Sequence, residues 1–271
     1  MAQTGATIGM DILELDDRIS AVCSWIKREP GNIEARLQLV KLYCFQAEWD
    51  RALLQLDTLL KIDPETQRQV ELYKNLIFSE RLRDSVLSGG HEACLLEGTL
   101  PDWVQELQRA NAFYAVGQEE RGKACRLQAL ENAPMSAGHS ETLGEFTWLA
   151  DGDDRLGPIC EFICAGGYRW VPFSGINALV VNTPKGLTDL VWASATLMLD
   201  KPVHGFIPAR YPLMAQKDHK FKTGSQTQWQ QQGQERYVGH GRKMWMSSAG
   251  ECALFEAGNI TFNRVKSEHE A

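Results

Sequence analysis

The sequence lacks the short patterns that mark most catalytic and metal sites. Its seven cysteines have no CxxC spacing, and its six histidines form neither HxxxH nor HxH. It contains no GxSxG nucleophile elbow, no P-loop, and no GxGxxG after a strand pattern. A catalytic or metal centre would therefore have to be assembled by the fold alone, which is rare. We expect no cofactor.

Long hydrophobic runs and a surplus of positive charge are also missing. No apolar run is long enough to span a membrane, and the first residues lack the basic start and apolar core of a signal peptide. Lysine and arginine total 28 against 35 aspartates and glutamates, which gives a net charge of −7. We therefore expect a cytoplasmic protein with reduced cysteines that binds neither nucleic acid nor membrane.

The hydrophobic pattern changes period part-way along the chain. Apolar residues recur at steps of three and four up to about residue 134, and short apolar runs broken by prolines follow. This pattern predicts an α+β fold. An all-α domain of tetratricopeptide-like helical hairpins spans residues 1–135, and a smaller mixed domain with short strands spans 141–271. Residues 135–140 are the predicted linker.

One segment has the spacing of a tetratricopeptide repeat. Pro30 and Pro64 lie 64 − 30 = 34 residues apart, the period of that repeat. Four residues then fall on the positions that pack its two helices together: Leu39, Tyr43, Ala52 and Leu56. Residues 103–134 resemble a second, degenerate pair, in which Leu107, Ala110 and Phe113 line the first helix and Ala124, Leu127 and Leu130 the second. Such repeats are scaffolds, so this pattern predicts fold rather than chemistry.

The stretch from residue 141 to 173 joins the two patterns and is rich in unusual residues. Asp151, Asp153 and Asp154 could together hold a divalent cation, since hard metals prefer several carboxylate oxygens. Arg155 follows at once, and the spacing lacks the rest of a calcium loop. The alternative is an Asp–Arg polar network that ties this loop to the second domain. Trp148 and Trp170 stand in apolar context, which favours core positions.

The same stretch resembles a known family. Phe146-Thr147-Trp148 and the following acidic run are similar to the pattern F-x-W-x-x-D-x-D-x-R-x-G-P of the ImpE family, also called the SciE-type or TagJ family. Glu161 and residues 167–173 resemble its E…G-x-Y-x-W-V-P-F, and residues 208–212 its P-x-R-Y-P. The residues that carry the family pattern are Trp148, Asp151, Asp153, Arg155, Gly157, Pro158, Glu161, Tyr168, Trp170, Pro172, Phe173, Arg210 and Tyr211.

The resemblance implies a non-enzymatic accessory protein of the bacterial type VI secretion system. Such proteins bind the N-terminal helix of the small contractile-sheath subunit and influence sheath turnover by the ClpV unfoldase. Stacked helical pairs form a groove that suits an amphipathic helix. The first helices of the two pairs would line it with Leu37, Lys41, Cys44, Leu107, Asn111 and Tyr114, unless several of these are plain core. The alternative function is a metal-dependent hydrolase that uses Asp151, Asp153 and Asp154, and a homodimer stays open.

Overall fold

A computed structural model describes residues 12–213, 219–233 and 235–263. Within them six α-helices come first, and strands with one short α-helix among them follow, which confirms the α+β class. The helices are α1 (Ile12–Arg28), α2 (Ile33–Gln46), α3 (Trp49–Ile62), α4 (Gln67–Leu87), α5 (Asp102–Ala115), α6 (Glu119–Asn132) and the short α7 (His219–Lys222). None of the described helices combines the length and the apolar character that crossing a bilayer requires.

The strands of the described residues pair in antiparallel fashion throughout. They are β1 (Gly138–Ser140), β2 (Gly144–Phe146), β3 (Leu149–Asp151), β4 (Ile159–Cys164), β5 (Gly167–Pro172), β6 (Ala178–Val181), β7 (Trp192–Met198), β8 (Pro202–Pro208), β9 (Thr227–Gln231), β10 (Tyr237–Gly241), β11 (Met244–Ser247), β12 (Gly250–Ala253) and β13 (Asn259–Phe262). Eight of them form one sheet in the order β2-β1-β13-β6-β7-β8-β4-β5. A three-stranded sheet has the order β12-β11-β3, and β9 pairs with β10.

The predicted tetratricopeptide hairpin is present as α2 and α3. Leu39, Tyr43, Ala52 and Leu56 are all buried, as the repeat spacing predicts. Ala47 ends α2 with a φ of 59°, in the left-handed region. That conformation explains why such a turn usually carries glycine, because a Cβ is strained there.

The second hairpin, α5 and α6, is present, but the predicted buried face of α6 is wrong. Leu127 is 41% exposed and Leu130 39%. The buried face of the helix instead carries Gly122, Arg126 and Ala129. This face was missed because its central residue is an arginine that is buried through an ion pair, which hydrophobic periodicity does not detect.

One predicted segment differs in the structure. The predicted linker 135–140 contains β1, which pairs with both β2 and β13. Residues Leu254–Glu256 form a short 3-10 helix. The domain division at 1–135 and 141–271 stays a prediction.

The helices and the large sheet share one hydrophobic core. A single buried cluster extends from α1 to α6 and continues into β4, β5 and β7. Trp49 at the start of α3 packs on Trp192 of β7, with ring centroids 5.9 Å apart. The indole of Trp192 donates to Glu80 Oε1 of α4 at 3.0 Å, and Asn75 of α4 donates to the carbonyl of Cys164 at 2.8 Å. Helix α4 is thus the element that docks the helices on the sheet.

Gly89 shows how closely the helices approach one another. It follows α4 with a φ of +79°, and a Cβ there would collide with the carbonyl oxygen of Asn111 and lie 2.8 Å from its carbonyl carbon. Gly98 has the same φ of +79° but has open space where its Cβ would be. Comparing alanine substitutions at Gly89 and Gly98 therefore separates the energetic cost of backbone strain from that of steric clash.

We expect Gly98→Ala to cost about 1 kcal/mol of unfolding free energy, which is the penalty of the left-handed conformation. Gly89→Ala should cost about 2 kcal/mol more, because α4 and α5 must move apart. Urea unfolding followed by circular dichroism measures both values. Equal losses in the two variants would show that α4 and α5 do not pack this closely.

Candidate functional site

A carboxylate of the sheet holds two cations at the junction with the helices. Glu161 on β4 accepts from Arg83 Nε at 2.7 Å and from Arg83 Nη2 at 2.9 Å. Lys243, just before β11, donates its Nζ to Glu161 Oε2 at 2.7 Å. All three side chains are at most 1% exposed. Charges buried this deeply persist only when each has an opposite partner and complete hydrogen bonding.

The network continues on both sides of Glu161, and its charges alternate in sign. On the helical side, Arg83 Nη1 donates to Glu80 Oε2 at 3.2 Å. On the sheet side, Lys243 Nζ also donates to Asp151 Oδ2 at 2.6 Å. We call the run Asp151, Lys243, Glu161, Arg83 and Glu80 the charge chain. It connects β3 and β4 with α4 through the interior.

Arg210 lies at the helical end of the charge chain. Its guanidinium donates to the carbonyls of Cys44 at 3.3 Å and Lys222 at 2.5 Å. Burial lowers its pKa to about 10, and the negative charge of Glu80 partly offsets that effect. Because cations favour helix C-termini, its bond to Cys44 also stabilises the end of α2.

Aromatic hydroxyl and indole groups complete the hydrogen bonds of the sheet-side carboxylates. Tyr168 donates to Glu161 Oε1 at 2.6 Å and accepts from the indole of Trp170 at 2.8 Å. Tyr211 donates to Asp151 Oδ1 at 2.8 Å. Five of the residues that carry the family pattern thus belong to the charge chain or take part in the hydrogen bonds that orient it: Asp151, Glu161, Tyr168, Trp170 and Tyr211.

The rest of the acidic run forms local ion pairs. Arg155 binds Asp153 through Nε at 2.8 Å and Nη2 at 2.6 Å, and the backbone N–H of Gly239 donates to the same carboxylate at 2.8 Å. Asp154 pairs with Arg126 of α6 at 3.0 Å. The contact with Gly239 ties the loop to β10, and the contact with Arg126 ties it to the helices. This is the Asp–Arg network that the sequence offers as the alternative to a metal site.

Burial and neighbouring cations compete in setting the pKa values of these carboxyls. Burial raises the pKa of Glu161, but the two cations of the charge chain outweigh it and hold the pKa well below its ordinary value of 4.5. Asp153 behaves in the same way, because Arg155 outweighs the effect of burial on its pKa. For Asp151, burial is the stronger effect and raises the pKa.

The arrangement offers no free base or nucleophile within the charge chain. Burial favours the neutral amine of Lys243, but Asp151 and Glu161 outweigh it and raise the lysine pKa, so the amine stays protonated. Each aspartate of the predicted metal site has a cationic partner at 3.0 Å or less. In the part of the chain that the structure describes, no three His, Cys, Asp or Glu side chains converge as a metal site would need. The hydrolase hypothesis therefore gains no support.

Other residues of the family pattern pack or form hydrogen bonds within the fold, with one exception. Trp170 and Phe173 are fully buried, and the N–H of Phe173 donates to the carbonyl of Pro158 at 3.0 Å. Gly157 accepts from the N–H of Asp151 at 2.7 Å. The prediction of a core position for Trp148 is wrong: its side chain is 39% exposed. It lies in the short connection between β2 and β3.

The six predicted groove residues divide into two groups. Cys44, Leu107 and Asn111 are buried, so for them the core alternative holds. Asn111 donates to the carbonyl of Arg155 at 3.0 Å, which shows that the C-terminal half covers this face of α5. The other group is half-buried and comprises Leu37, Lys41 and Tyr114.

Among these half-buried residues, Leu37 and Lys41 stand one turn apart on the same face of α2. Tyr114 is less available, because the guanidinium carbon of Arg236 lies 4.0 Å from its ring centroid.

Three members of the charge chain were not predicted as site residues: Glu80, Arg83 and Lys243. Glu80 and Arg83 stand three residues apart on α4, a spacing that allows an ion pair on any exposed helix. Lys243 lies 92 residues from Asp151 and 82 from Glu161, and no local pattern marks it.

Known proteins resemble this chain along most of its length. The family model described as ImpE protein matches residues 144–261, a range that holds the sheet side of the network. A Pseudomonas aeruginosa protein named type VI secretion system accessory component TagJ is 34% identical over 253 residues, which cover 92% of this chain and 87% of that protein. The chain belongs to the ImpE family.

The fold of this ImpE chain is also that of a solved structure. The crystal structure of protein VPA1032 from Vibrio parahaemolyticus superposes with a TM-score of 0.83 at 23% identity. The match covers 93% of this chain and 94% of that one. Helical and sheet halves are therefore arranged alike in both proteins.

Two arginines of α4 provide a direct test of the charge chain. Arg83→Met leaves Glu161 and Glu80 short of a cation inside the protein, and we expect it to cost about 3–5 kcal/mol of unfolding free energy. Arg81 pairs with Asp50, which is 94% exposed. Arg81→Met should cost at most about 1 kcal/mol, because solvent screens surface pairs. Similar losses in the two variants, measured by urea unfolding, would contradict a buried network.

The depressed pKa of Glu161 predicts how stability depends on acid. A carboxyl whose folded pKa lies below its unfolded value stabilises the fold above that unfolded value and loses the contribution as pH falls. We expect the unfolding free energy to fall below about pH 4.5, and to fall less steeply in Glu161→Gln. The pKa of Asp151 is raised, so its protonation has the opposite effect and partly offsets the loss of stability at low pH. Urea titrations at several pH values test this, and equal slopes in both proteins would contradict it.

Proposed function

We propose that this protein is a non-enzymatic, cytoplasmic accessory component of a bacterial type VI secretion system. The observation that carries the proposal is the 34% identity to an accessory component of that name along 92% of the chain. A relationship of this extent includes the helical half as well as the sheet, so the whole architecture is shared. The buried charge chain supports a structural rather than a catalytic role for the acidic run.

The proposed partner is the N-terminal helix of the small contractile-sheath subunit, and binding would influence sheath turnover by the ClpV unfoldase. Leu37 and Lys41 are the predicted groove positions best placed to contact it. They combine an apolar side chain with a cation on one partly exposed helix face. An amphipathic helix with an acidic flank would match both. The homodimer stays a prediction.

Calorimetric titration with a peptide that covers the first helix of the cognate small sheath subunit tests the proposal. We expect micromolar or tighter binding, and none with a scrambled peptide. Lys41→Glu should weaken binding about tenfold, since reversing one charge within an interface costs on the order of 1.4 kcal/mol. Lys61→Glu makes the same charge change at an exposed position of α3 and should leave binding unaltered.

Absence of binding by folded protein would overturn the sheath-helix proposal. Equal affinities of Lys41→Glu and Lys61→Glu would instead show that the α2 face, which carries Leu37 and Lys41, does not contact the sheath helix.

A further inference from the structure

A cavity of about 540 Å³ opens at the outer edge of the large sheet. Its walls come from the 95–101 segment, the start of α5, the end of β5 and the turn before β8. Trp103 and Trp170, which are both buried, are among the residues that line it. This volume falls within the range of about 300–1,000 Å³ that is usual for ligand pockets. We call it the edge pocket.

The walls of the edge pocket are held in place by hydrogen bonds. Trp170 donates its N–H to the carbonyl of Cys94 at 3.0 Å, and Leu96 donates to the carbonyl of Trp170 at 3.3 Å. On the opposite wall, Asn177 donates its side-chain amide to the carbonyl of Leu199 at 2.8 Å. The pocket is therefore formed before any partner arrives, which lowers the ordering cost of binding.

The lining combines apolar walls with an acidic rim. Leu95, Leu96 and Leu199 are half-buried along the walls, whereas Glu97 and Asp200 are exposed. Neither carboxylate takes part in an ion pair among the described residues, and no Lys, Arg or His is among the residues that line the pocket. The rim therefore presents unneutralised negative charge around an apolar hole, which favours a ligand with an apolar group next to cations.

From this geometry we infer that the edge pocket is a second protein-docking site, which takes an apolar side chain from a basic amphipathic segment of a partner. The partner's leucine-like side chain packs against Leu95, Leu96 and Leu199. Its lysines or arginines face Glu97 and Asp200. The inference rests on the proposed adaptor function only in assuming that the ligand is a protein. Its lining shares no residue with the α2 face.

Two glycines allow the pocket to be blocked with a matched control. Gly175 lines the pocket, and an added Cβ there meets no atom within 4 Å. Gly31, between α1 and α2, has the same open space and is not a lining residue. Neither has a positive φ, so both accept a side chain without backbone strain.

The probe is a fluorescein-labelled helical peptide of leucine and lysine, and the same peptide with glutamate for lysine is its control. Fluorescence anisotropy should show binding of the lysine peptide that weakens as salt rises, and at least tenfold weaker binding of the glutamate peptide. Gly175→Phe should weaken the lysine peptide at least tenfold, and Gly31→Phe less than twofold. Glu97→Gln combined with Asp200→Asn should weaken it severalfold and flatten the salt dependence.

Circular dichroism and thermal melting establish that each variant is folded. Failure of the lysine peptide to bind, or equal binding by Gly175→Phe and Gly31→Phe, would overturn the edge-pocket inference. Titration of the same variants with the small sheath subunit separates the two proposals. If the subunit binds and the lysine peptide does not, the adaptor role stands without the pocket. If only the lysine peptide binds, and Gly175→Phe blocks it, the pocket stands without the sheath partner.

Discussion

The fold depends on the burial of several ionic groups between the helices and the sheet. A buried charge is tolerable only when its partner is in contact, so Arg83 on α4 requires Glu161 on β4 at close range. Glu161 in turn requires Lys243, and Lys243 also requires Asp151. A small slip of α4 along the sheet would break these contacts together. The hydrophobic core that the two halves share supplies attraction, and the charge chain selects one register.

This constraint decides which surfaces remain for partners. In a stack of helical hairpins the first helices ordinarily offer the concave face for binding. Here the chain covers part of that face itself, because Asn111 on α5 bonds to the carbonyl of Arg155, and Arg210 bonds to the end of α2. The other side of α2 and the cavity at the edge of β5 stay uncovered by the rest of the described chain. The C-terminal half of the chain therefore occupies part of the helical surface that a partner would otherwise contact.

Sequence-based predictions succeeded where the interacting residues are close in sequence and failed where they are far apart in sequence. The hairpin residues Leu39 and Ala52 were identified because a 34-residue period is local. An Asp–Arg network could be offered as the alternative to a metal site because the aspartates and Arg155 are neighbours in sequence. Burial of Arg126 was missed, because an arginine is expected at the surface unless its ion-pair partner is known. Lys243 was unpredictable, because its two partners lie more than 80 residues away and are reached only through the sheet. The core position expected for Trp148 failed because apolar sequence context does not reveal which side of a turn faces the interior.

The same interactions explain why a dense acidic run need not be an active site. A general base or a metal ligand requires a carboxylate that is available to a proton or an ion, with a pKa set for exchange. The pKa of Glu161 is instead held far below its ordinary value by two cations, while the amine of Lys243 is held protonated by two carboxylates. Each group satisfies its neighbour, and none is left over for a substrate. In this chain the unusual composition of residues 141–173 therefore reflects a buried network of ion pairs that fixes the sheet on the helices.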